Sequence, residues 1–170
     1  MFDAVLRTYH ASPENGPANV FNYTNKYFFT RTLRGTFITA SILNYDPRKQ
    51  LLRYANAGHP PVILKTPEGE LIELVQQSGI PLGVDQDWQW QDAQISVQPG
   101  SVLVSYTDGL TEALSPQGKQ FGLERFKAVI RATTGPAQAY KEALVAAVQQ
   151  HQQGSQQADD QALVVMRITT

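Results

Sequence analysis

Residues 102–113 read VLVSYTDGLTEA, and residues 159–167 read DDQALVVMR. The first stretch is an apolar strand pattern that ends at Asp108, whereas Asp159 and Asp160 come directly before a second apolar strand pattern. If the two strands are antiparallel neighbours, the end of the first lies beside the start of the second, and two or three carboxylates share one sheet edge. Carboxylates held so close together either raise the pKa of one of them or bind a cation between them. Because carboxylate oxygens prefer hard cations, the first hypothesis is a site for Mg²⁺ or Mn²⁺.

Each acidic stretch also has a simpler interpretation. An Asp-Gly pair after a strand, as at Asp108, is typical of a turn. Adjacent acids such as Asp159 and Asp160 are usually solvated loop charge. Two features favour the metal site: the apolar residues before Asp108 are consecutive, which indicates a central strand, and Glu112 follows where a plain hairpin would resume its alternation. The hypothesis depends on the two stretches together.

The composition excludes several classes of protein. A length of 170 residues suits one domain with a full core. Because 14 Lys and Arg nearly balance 15 Asp and Glu, no basic face for nucleic acid is predicted. The absence of cysteine excludes thiolate zinc sites and cysteine nucleophiles. No apolar run reaches the ~18–20 residues of a membrane helix, and the first residues do not resemble a signal peptide, so a soluble cytoplasmic protein without membrane contact is predicted.

The order of predicted elements indicates an α+β fold. Helices come first, then short strands, two further helices and one last strand, and a largely antiparallel sheet is expected because hairpins outnumber helical crossovers. The predicted strands span residues 36–45, 50–55, 61–65, 70–75, 89–97 and 102–107, with a last one ending near Ile168. The turn residues of NYDPRK (44–49) and PEG (67–69) predict that the first two strands form one hairpin and the next two another. The predicted helices carry four apolar sets: Phe2, Val5, Leu6 and Tyr9; Val20, Phe21, Tyr27 and Phe28; Leu123, Phe126, Val129 and Ile130; and Tyr140, Leu144, Val145 and Val148. The polar stretch 149–158 is predicted to be a loop.

His59, in the stretch NAGHPP (56–61), is a further candidate site residue. A lone loop histidine is more often structural or solvent-facing than a ligand. The glycine before His59 and the prolines after it predict a fixed backbone, which is consistent with a functional role. The stretch GIPLG (79–83) is favoured as a rigid turn, since it has no Lys and no Ser or Thr after its last glycine. A Ser/His/Asp hydrolase is a weak alternative, because no G-x-S-x-G elbow is present.

Five motifs follow one another along the chain: NAGHPP (56–61), GIPLG (79–83), SYTDGLTEA (105–113), FGLE (121–124) and the Asp159-Asp160 pair before an apolar strand. Taken in this order, they resemble the motifs of the bacterial SpoIIE/RsbU-type PPM (PP2C-like) protein phosphatases. The resemblance runs from about Phe28 to the C-terminus, and its five motifs in the right order make it specific.

The resemblance implies a fold and a chemistry. The fold is a PP2C-like α-β-β-α sandwich of two antiparallel sheets flanked by helices. The chemistry is removal of phosphate from phosphoserine or phosphothreonine, often on an anti-sigma-factor antagonist in signalling or stress response. Two Mn²⁺ or Mg²⁺ ions would lower the pKa of a bridging water and neutralise charge on the phosphoryl oxygens. An upstream sensor or receiver domain is a further implied partner.

The same resemblance assigns residues by motif position. Asp108 and Asp159 correspond to metal ligands, and Asp160 is expected beside them, as a further ligand or as an acceptor that orients bound water. Glu112 and His59 lie in the family's motifs and are expected to support the site without binding metal directly.

One departure from the family pattern shapes the remaining expectations. The family's other metal-binding aspartates lie upstream of its first helix, one of them in an Asp-x-x-Gly-His-Gly type motif that this chain lacks. The chain is therefore expected to be the C-terminal portion of a single phosphatase domain, incomplete at the N-terminus, with residues 1–30 as a helical lead-in and 31–170 bearing the motifs. A fragment or truncated gene is favoured. The alternatives are a short form that dimerises, a pseudophosphatase that binds partners without turnover, and a plain α+β interaction domain with accidental acids.

Overall fold

The structure is a computed structural model that describes residues 16–31, 33, 35–155 and 157–169. The helix predicted for residues 2–9 lies outside the described residues. The described residues divide into two compact units: those up to His59 together with Val75–Val97, and Pro60–Leu74 together with those from Gln98 onward.

The elements are, in order, α1 (Pro17–Arg31), β1 (Ala40–Asp46), β2 (Leu51–Ala57), β3 (Ile63–Lys65), β4 (Leu71–Glu73), β5 (Ser78–Gly79), β6 (Ala93–Ser96), β7 (Val102–Tyr106), α2 (Asp108–Thr111), α3 (Leu123–Ala132), α4 (Ala137–Gln152) and β8 (Leu163–Arg167).

The first unit contains a four-stranded sheet and helix α1. Strands β1 and β2 form the predicted antiparallel hairpin. The other edge of β2 pairs antiparallel with β6 and, over two residues, parallel with β5. The β5 strand was not predicted, because the stretch GIPLG has the glycine and proline content of a turn rather than a strand pattern.

Helix α1 packs against β1 and β2. The predicted inward residues Val20, Phe21 and Phe28 are buried. The prediction was wrong for Tyr27, which is 38% exposed and lies on the outer face, where its hydroxyl accepts a hydrogen bond from Tyr23 at 3.2 Å.

The start of α1 is held by a distant carboxylate, that of Asp92. It accepts one hydrogen bond from the Ala18 amide at 2.7 Å and another from the Arg53 guanidinium at 2.8 Å. The first bond satisfies an amide that a helix start leaves without a partner. Asp92 thereby ties the helix to strand β2, which carries Arg53.

The second unit contains the sheet β4-β3-β7-β8, in which every pair is antiparallel. Strand β7 lies between β3 and β8, and Val102, Leu103 and Val104 are almost fully buried. The prediction of a central strand before Asp108 is therefore confirmed. Strand β8 is an edge of this sheet among the described residues, and its Val164 is 64% exposed.

Helices α3 and α4 supply the rest of the second unit's core. Their predicted apolar faces are confirmed: Phe126, Ile130, Tyr140, Leu144 and Val148 are buried, the half-buried Leu123 and Val129 pack against them, and Val145 is half-buried outside this cluster. Helix α4 continues to Gln152, so the loop predicted from Gln149 begins four residues too early; glutamine is a good helix former, and its polarity alone does not end a helix. The buried core residues are Ile63, Val102, Val104, Tyr106, Leu110, Ala113, Phe121, Phe126, Ile130, Tyr140, Leu144 and Val148.

A buried lysine closes the C-terminal end of α3. Lys65 is 7% exposed, and its ammonium group donates to the carbonyls of Ile130, Arg131 and Thr133 at 2.7–3.0 Å. These are carbonyls that the end of a helix leaves without partners. Together the two sheets and their helices confirm the predicted α+β class.

Among the residues that the structure describes, no helix is both long and apolar enough to cross a membrane.

Candidate metal centre at the ends of two strands

The register of β7 and β8 brings the two acidic stretches together. Tyr106 pairs with Leu163, so the end of β7 lies beside the start of β8, as predicted. The pairing continues one residue further, because the Thr107 amide donates to the Ala162 carbonyl at 3.1 Å. Asp108 therefore leaves the sheet at the point where the chain from Asp160 enters it.

Thr107 locks this junction through its side chain. Its hydroxyl donates to the Asp160 carbonyl at 2.8 Å and accepts from the Ala162 amide at 2.8 Å. The Gln161 side-chain amide adds a third link by donating to the Gly109 carbonyl at 3.0 Å. Sequence analysis gave neither Thr107 nor Gln161 a role, since these bonds to the backbone exist only in the register that the folded sheet adopts.

Gly109 allows the two segments to approach each other closely. A Cβ atom at this position would lie 2.4 Å from the Asp160 carbonyl oxygen and 3.0 Å from its carbon. Only glycine leaves room for such an approach of backbone to backbone. The Asp-Gly pair is not a hairpin turn here, because Asp108 begins the short helix α2, which was not predicted.

The carboxylates at this junction face solvent. Asp108, Asp159, Asp160 and Glu112 are all exposed. The Asp159 carboxylate accepts from the Asp160 amide at 2.7 Å, which fixes the local turn, while the Glu112 amide donates to the Asp108 carbonyl at 2.8 Å. None of the ion pairs seen among the described residues includes these four acids, so within that part of the chain no cationic side chain pairs with them.

The donor set fits a hard divalent cation, because the junction presents carboxylate oxygens from two adjacent segments. The side chains themselves do not form a closed cage: within the described ranges, no group of three or more His, Asp or Glu residues is placed so that it could hold a metal ion. Asp108, Asp159 and Asp160 are thus residues that could supply part of a coordination shell. Their role as ligands stays a prediction.

The last residue of β7 adds no charge to this edge. Tyr106 is buried and packs against Phe126, with ring centroids 4.5 Å apart. Burial raises the pKa of the Tyr106 hydroxyl, and the nearby Glu73 carboxylate adds to the rise, whereas Lys127 opposes it. The phenol is therefore neutral near pH 7.

His59 belongs to the first unit, whereas the four acids belong to the second. The Asn56 side chain holds the His59 backbone from both sides: its oxygen accepts from the His59 amide at 2.8 Å, and its nitrogen donates to the His59 carbonyl at 2.8 Å. Gly58 precedes it with φ of +68°, a conformation that glycine adopts readily. The fixed backbone expected from sequence is present; a chemical role for His59 and for Glu112 stays a prediction.

Replacing Thr107 with valine is expected to weaken the junction, because the Asp160 carbonyl and the Ala162 amide lose their shared partner while the side-chain shape is kept. We expect the free energy of unfolding to fall by about 1–3 kcal/mol and the Mn²⁺ affinity to fall with it. Denaturant unfolding and calorimetric Mn²⁺ titration measure the two effects. Thr107→Ser keeps the hydroxyl and is the control; a valine variant that binds Mn²⁺ as tightly as the serine variant would contradict the role given to the hydroxyl.

The chain is similar to a known protein family over almost its whole length. The family described as Stage II sporulation protein E (SpoIIE) matches residues 1–169. The phosphoserine phosphatase RsbU of Bacillus subtilis (strain 168) is 28% identical over 108 residues, which cover 62% of this chain and 32% of that protein. The chain therefore spans about a third of the length of this relative.

Two solved structures share the fold. The SiaA-PP2C domain of Pseudomonas aeruginosa superposes with a TM-score of 0.82 at 24% identity, over 98% of this chain and 66% of that one. The phosphatase domain of the cell fate determinant SpoIIE from Bacillus subtilis, presoaked with Mn, gives a TM-score of 0.65 at 19% identity, over 99% of this chain and 70% of that one. The predicted PP2C-like fold class is thus confirmed.

Proposed function

Because the chain belongs to the SpoIIE family, we propose that it forms part of a metal-dependent phosphatase that acts on phosphoserine or phosphothreonine in proteins. The observation that carries the proposal is the junction at which Thr107 and Gly109 hold the Asp108 segment against the segment of Asp159 and Asp160. Two independent stretches of chain bring exposed carboxylates to one sheet edge.

The charge of this edge explains why a cation is needed. Asp108, Asp159 and Asp160 would repel a phosphate dianion if no positive charge lay between them. These three aspartates would hold Mn²⁺ or Mg²⁺, with two ions expected in a complete site. Bound divalent cations supply positive charge to the phosphoryl oxygens and make a water molecule more acidic. The residues of the chain itself would hold and orient the metal ions. Thr107 fixes the spacing of the aspartates, and Glu112 and His59 would support the site without binding metal directly.

The proposed substrate is a phosphorylated protein of the anti-sigma-factor antagonist type, in the cytoplasm. The antagonist type is what the family resemblance implies, and two observations support a phosphorylated protein as the substrate. The acids are exposed on the edge of the sheet, which suits a phosphate presented on the surface of another protein. The similar protein RsbU is named a phosphoserine phosphatase.

A second candidate function is a binding module without turnover. One observation is compatible with it, namely that no group of three or more candidate ligands among the described residues is placed to hold a metal ion, but the match to the SpoIIE family does not favour it over the phosphatase. Such a protein would bind a phosphoprotein or another partner through surfaces other than this acidic edge, without hydrolysing phosphate.

Phosphate release from a phosphoserine peptide, with and without Mn²⁺, tests the proposal. The chain as it stands is compared with a protein extended by an upstream segment that carries the further aspartates. We expect Mn²⁺-dependent turnover that Asp108→Asn abolishes and that rises by orders of magnitude in the extended protein. A folded extended protein that binds the phosphopeptide but releases no phosphate would overturn the phosphatase proposal and favour the binding module.

A further inference from the structure

A second candidate site in the same unit plays no part in the proposed phosphatase chemistry. It is a groove of about 590 Å³ between helices α3 and α4 and the loop of residues 114–122. Its floor is apolar and includes Phe121 from the loop, Val129 from α3 and Ala147 from α4. We refer to this feature as the α3–α4 groove.

The groove carries positive charge that no carboxylate of its own balances. Its lining includes Lys119, Arg125 and His151 but no Asp or Glu. Lys127, which also lies on α3, differs from these groove residues because it contacts the carboxylates of Glu73 and Glu124. None of the ion pairs found in the described part of the chain includes Lys119 or Arg125.

A histidine holds the groove's arginine in position. The His151 Nε2 atom lies 2.8 Å from the Lys119 carbonyl oxygen, and since a carbonyl only accepts, this nitrogen carries the proton. The Nδ1 atom of His151 is then an acceptor, and Arg125 donates to it at 3.1 Å. The edge of the Phe121 ring packs against the imidazole, with centroids 5.5 Å apart. Arg125 is thus ordered by a partner that leaves its charge uncompensated.

We propose that the α3–α4 groove binds an acidic peptide segment of a protein partner. Carboxylates of the segment pair with Lys119 and Arg125, and an apolar side chain between them covers Phe121 and its neighbours on the floor. The guanidinium fork suits a carboxylate because it offers two parallel N–H donors. Because His151 already orders Arg125 before the peptide binds, less side-chain conformational entropy is lost when the contact forms. The α3–α4 groove shares no residue with the acidic junction, so peptide binding here is independent of the proposed function.

Fluorescence anisotropy with a labelled peptide tests this inference. The probe alternates glutamate pairs with single leucines, and the comparison peptide has glutamine at every glutamate position. We expect the glutamate peptide to bind several-fold more tightly than the glutamine peptide, and its affinity to fall as salt rises from 0.05 M to 0.5 M. Arg125→Gln and Lys119→Gln are each expected to weaken binding by about three- to fivefold.

The chain offers a matched control on the same helix. Arg131 is exposed and does not line the groove, so Arg131→Gln removes an identical charge and is expected to leave the affinity unchanged. Equal affinities for the two peptides, or equal losses in Arg125→Gln and Arg131→Gln, would overturn the proposal. Displacement of the peptide by free glutamate or inorganic phosphate at the peptide's own concentration would also overturn it, since the groove would then be a site for small anions. Binding is expected to persist in Asp108→Asn, which separates this test from that of the phosphatase.

Discussion

Asp108→Asn is expected to lower the affinity of the protein for Mn²⁺ by roughly 100-fold, because loss of a residue that merely supports a metal ligand already lowers affinity by about 10- to 100-fold. The substitution keeps the shape of the side chain and replaces an anionic oxygen with a neutral amide. Asn is also accepted at helix starts, so α2 and the Thr107 bonds to the neighbouring segment are expected to persist. The free energy of unfolding without metal is expected to stay the same or to rise slightly, because one of several neighbouring negative charges is removed.

Isothermal calorimetry with Mn²⁺ checks this expectation. The matched control is Asp87→Asn, which removes an exposed carboxylate from the first unit. We expect the control to bind Mn²⁺ as the parent does. Equal Mn²⁺ affinity in the parent and in Asp108→Asn would remove Asp108 from the set of proposed ligands.

Gly109→Ala is expected to disrupt the junction although every carboxylate remains. The new Cβ atom would meet the Asp160 carbonyl oxygen at 2.4 Å, a backbone atom that cannot swing away as a flexible side chain would. Relief requires the Asp159–Asp160 segment to move away from β7, which strains the bonds that Thr107 and Gln161 make. We expect the free energy of unfolding to fall by about 2–4 kcal/mol and Mn²⁺ binding to be largely lost.

Comparison of Gly109→Ala with Asp108→Asn separates the effect of the close backbone approach from the effect of the carboxylate charge. Alanine is a better helix former than glycine by about 1 kcal/mol, so any loss of stability in Gly109→Ala reflects the steric conflict rather than backbone preference. Denaturant unfolding is expected to show a large loss for Gly109→Ala and none for Asp108→Asn, while calorimetry shows weakened Mn²⁺ binding in both. A Gly109→Ala protein with the stability and Mn²⁺ affinity of the parent would show that the close approach is not needed.

The parts of the fold that sequence predicted well are those with local or periodic causes. Consecutive apolar residues at Val102, Leu103 and Val104 identified a buried central strand, and turn residues between strands identified both hairpins. The apolar spacing of Phe126 and Ile130 identified α3 for the same reason. These signals lie within a few residues of the element that they describe.

The parts that sequence missed depend on contacts between distant positions. The Asp92 carboxylate holds the start of α1 from 74 residues away along the chain, and Lys65 closes the end of α3 from 65 or more residues away. The Thr107 hydroxyl finds the Asp160 carbonyl only because β7 and β8 pair in one register. Spacing shows that the two acidic stretches can meet when the strands are antiparallel, but the bonds that lock them follow from the folded sheet.

The most direct measurement is an NMR titration of the isotope-labelled protein with substoichiometric Mn²⁺, in which the paramagnetic ion broadens the signals of nearby backbone amides. The account predicts that the amides of Gly109 and Leu110 and those of Gln161 and Ala162 broaden together at the same low Mn²⁺ concentration, and that Asp108→Asn abolishes both effects. Broadening of only one of these two segments, or of neither at concentrations that broaden other exposed acids such as Asp85 and Asp87, would contradict a shared metal centre at the ends of β7 and β8.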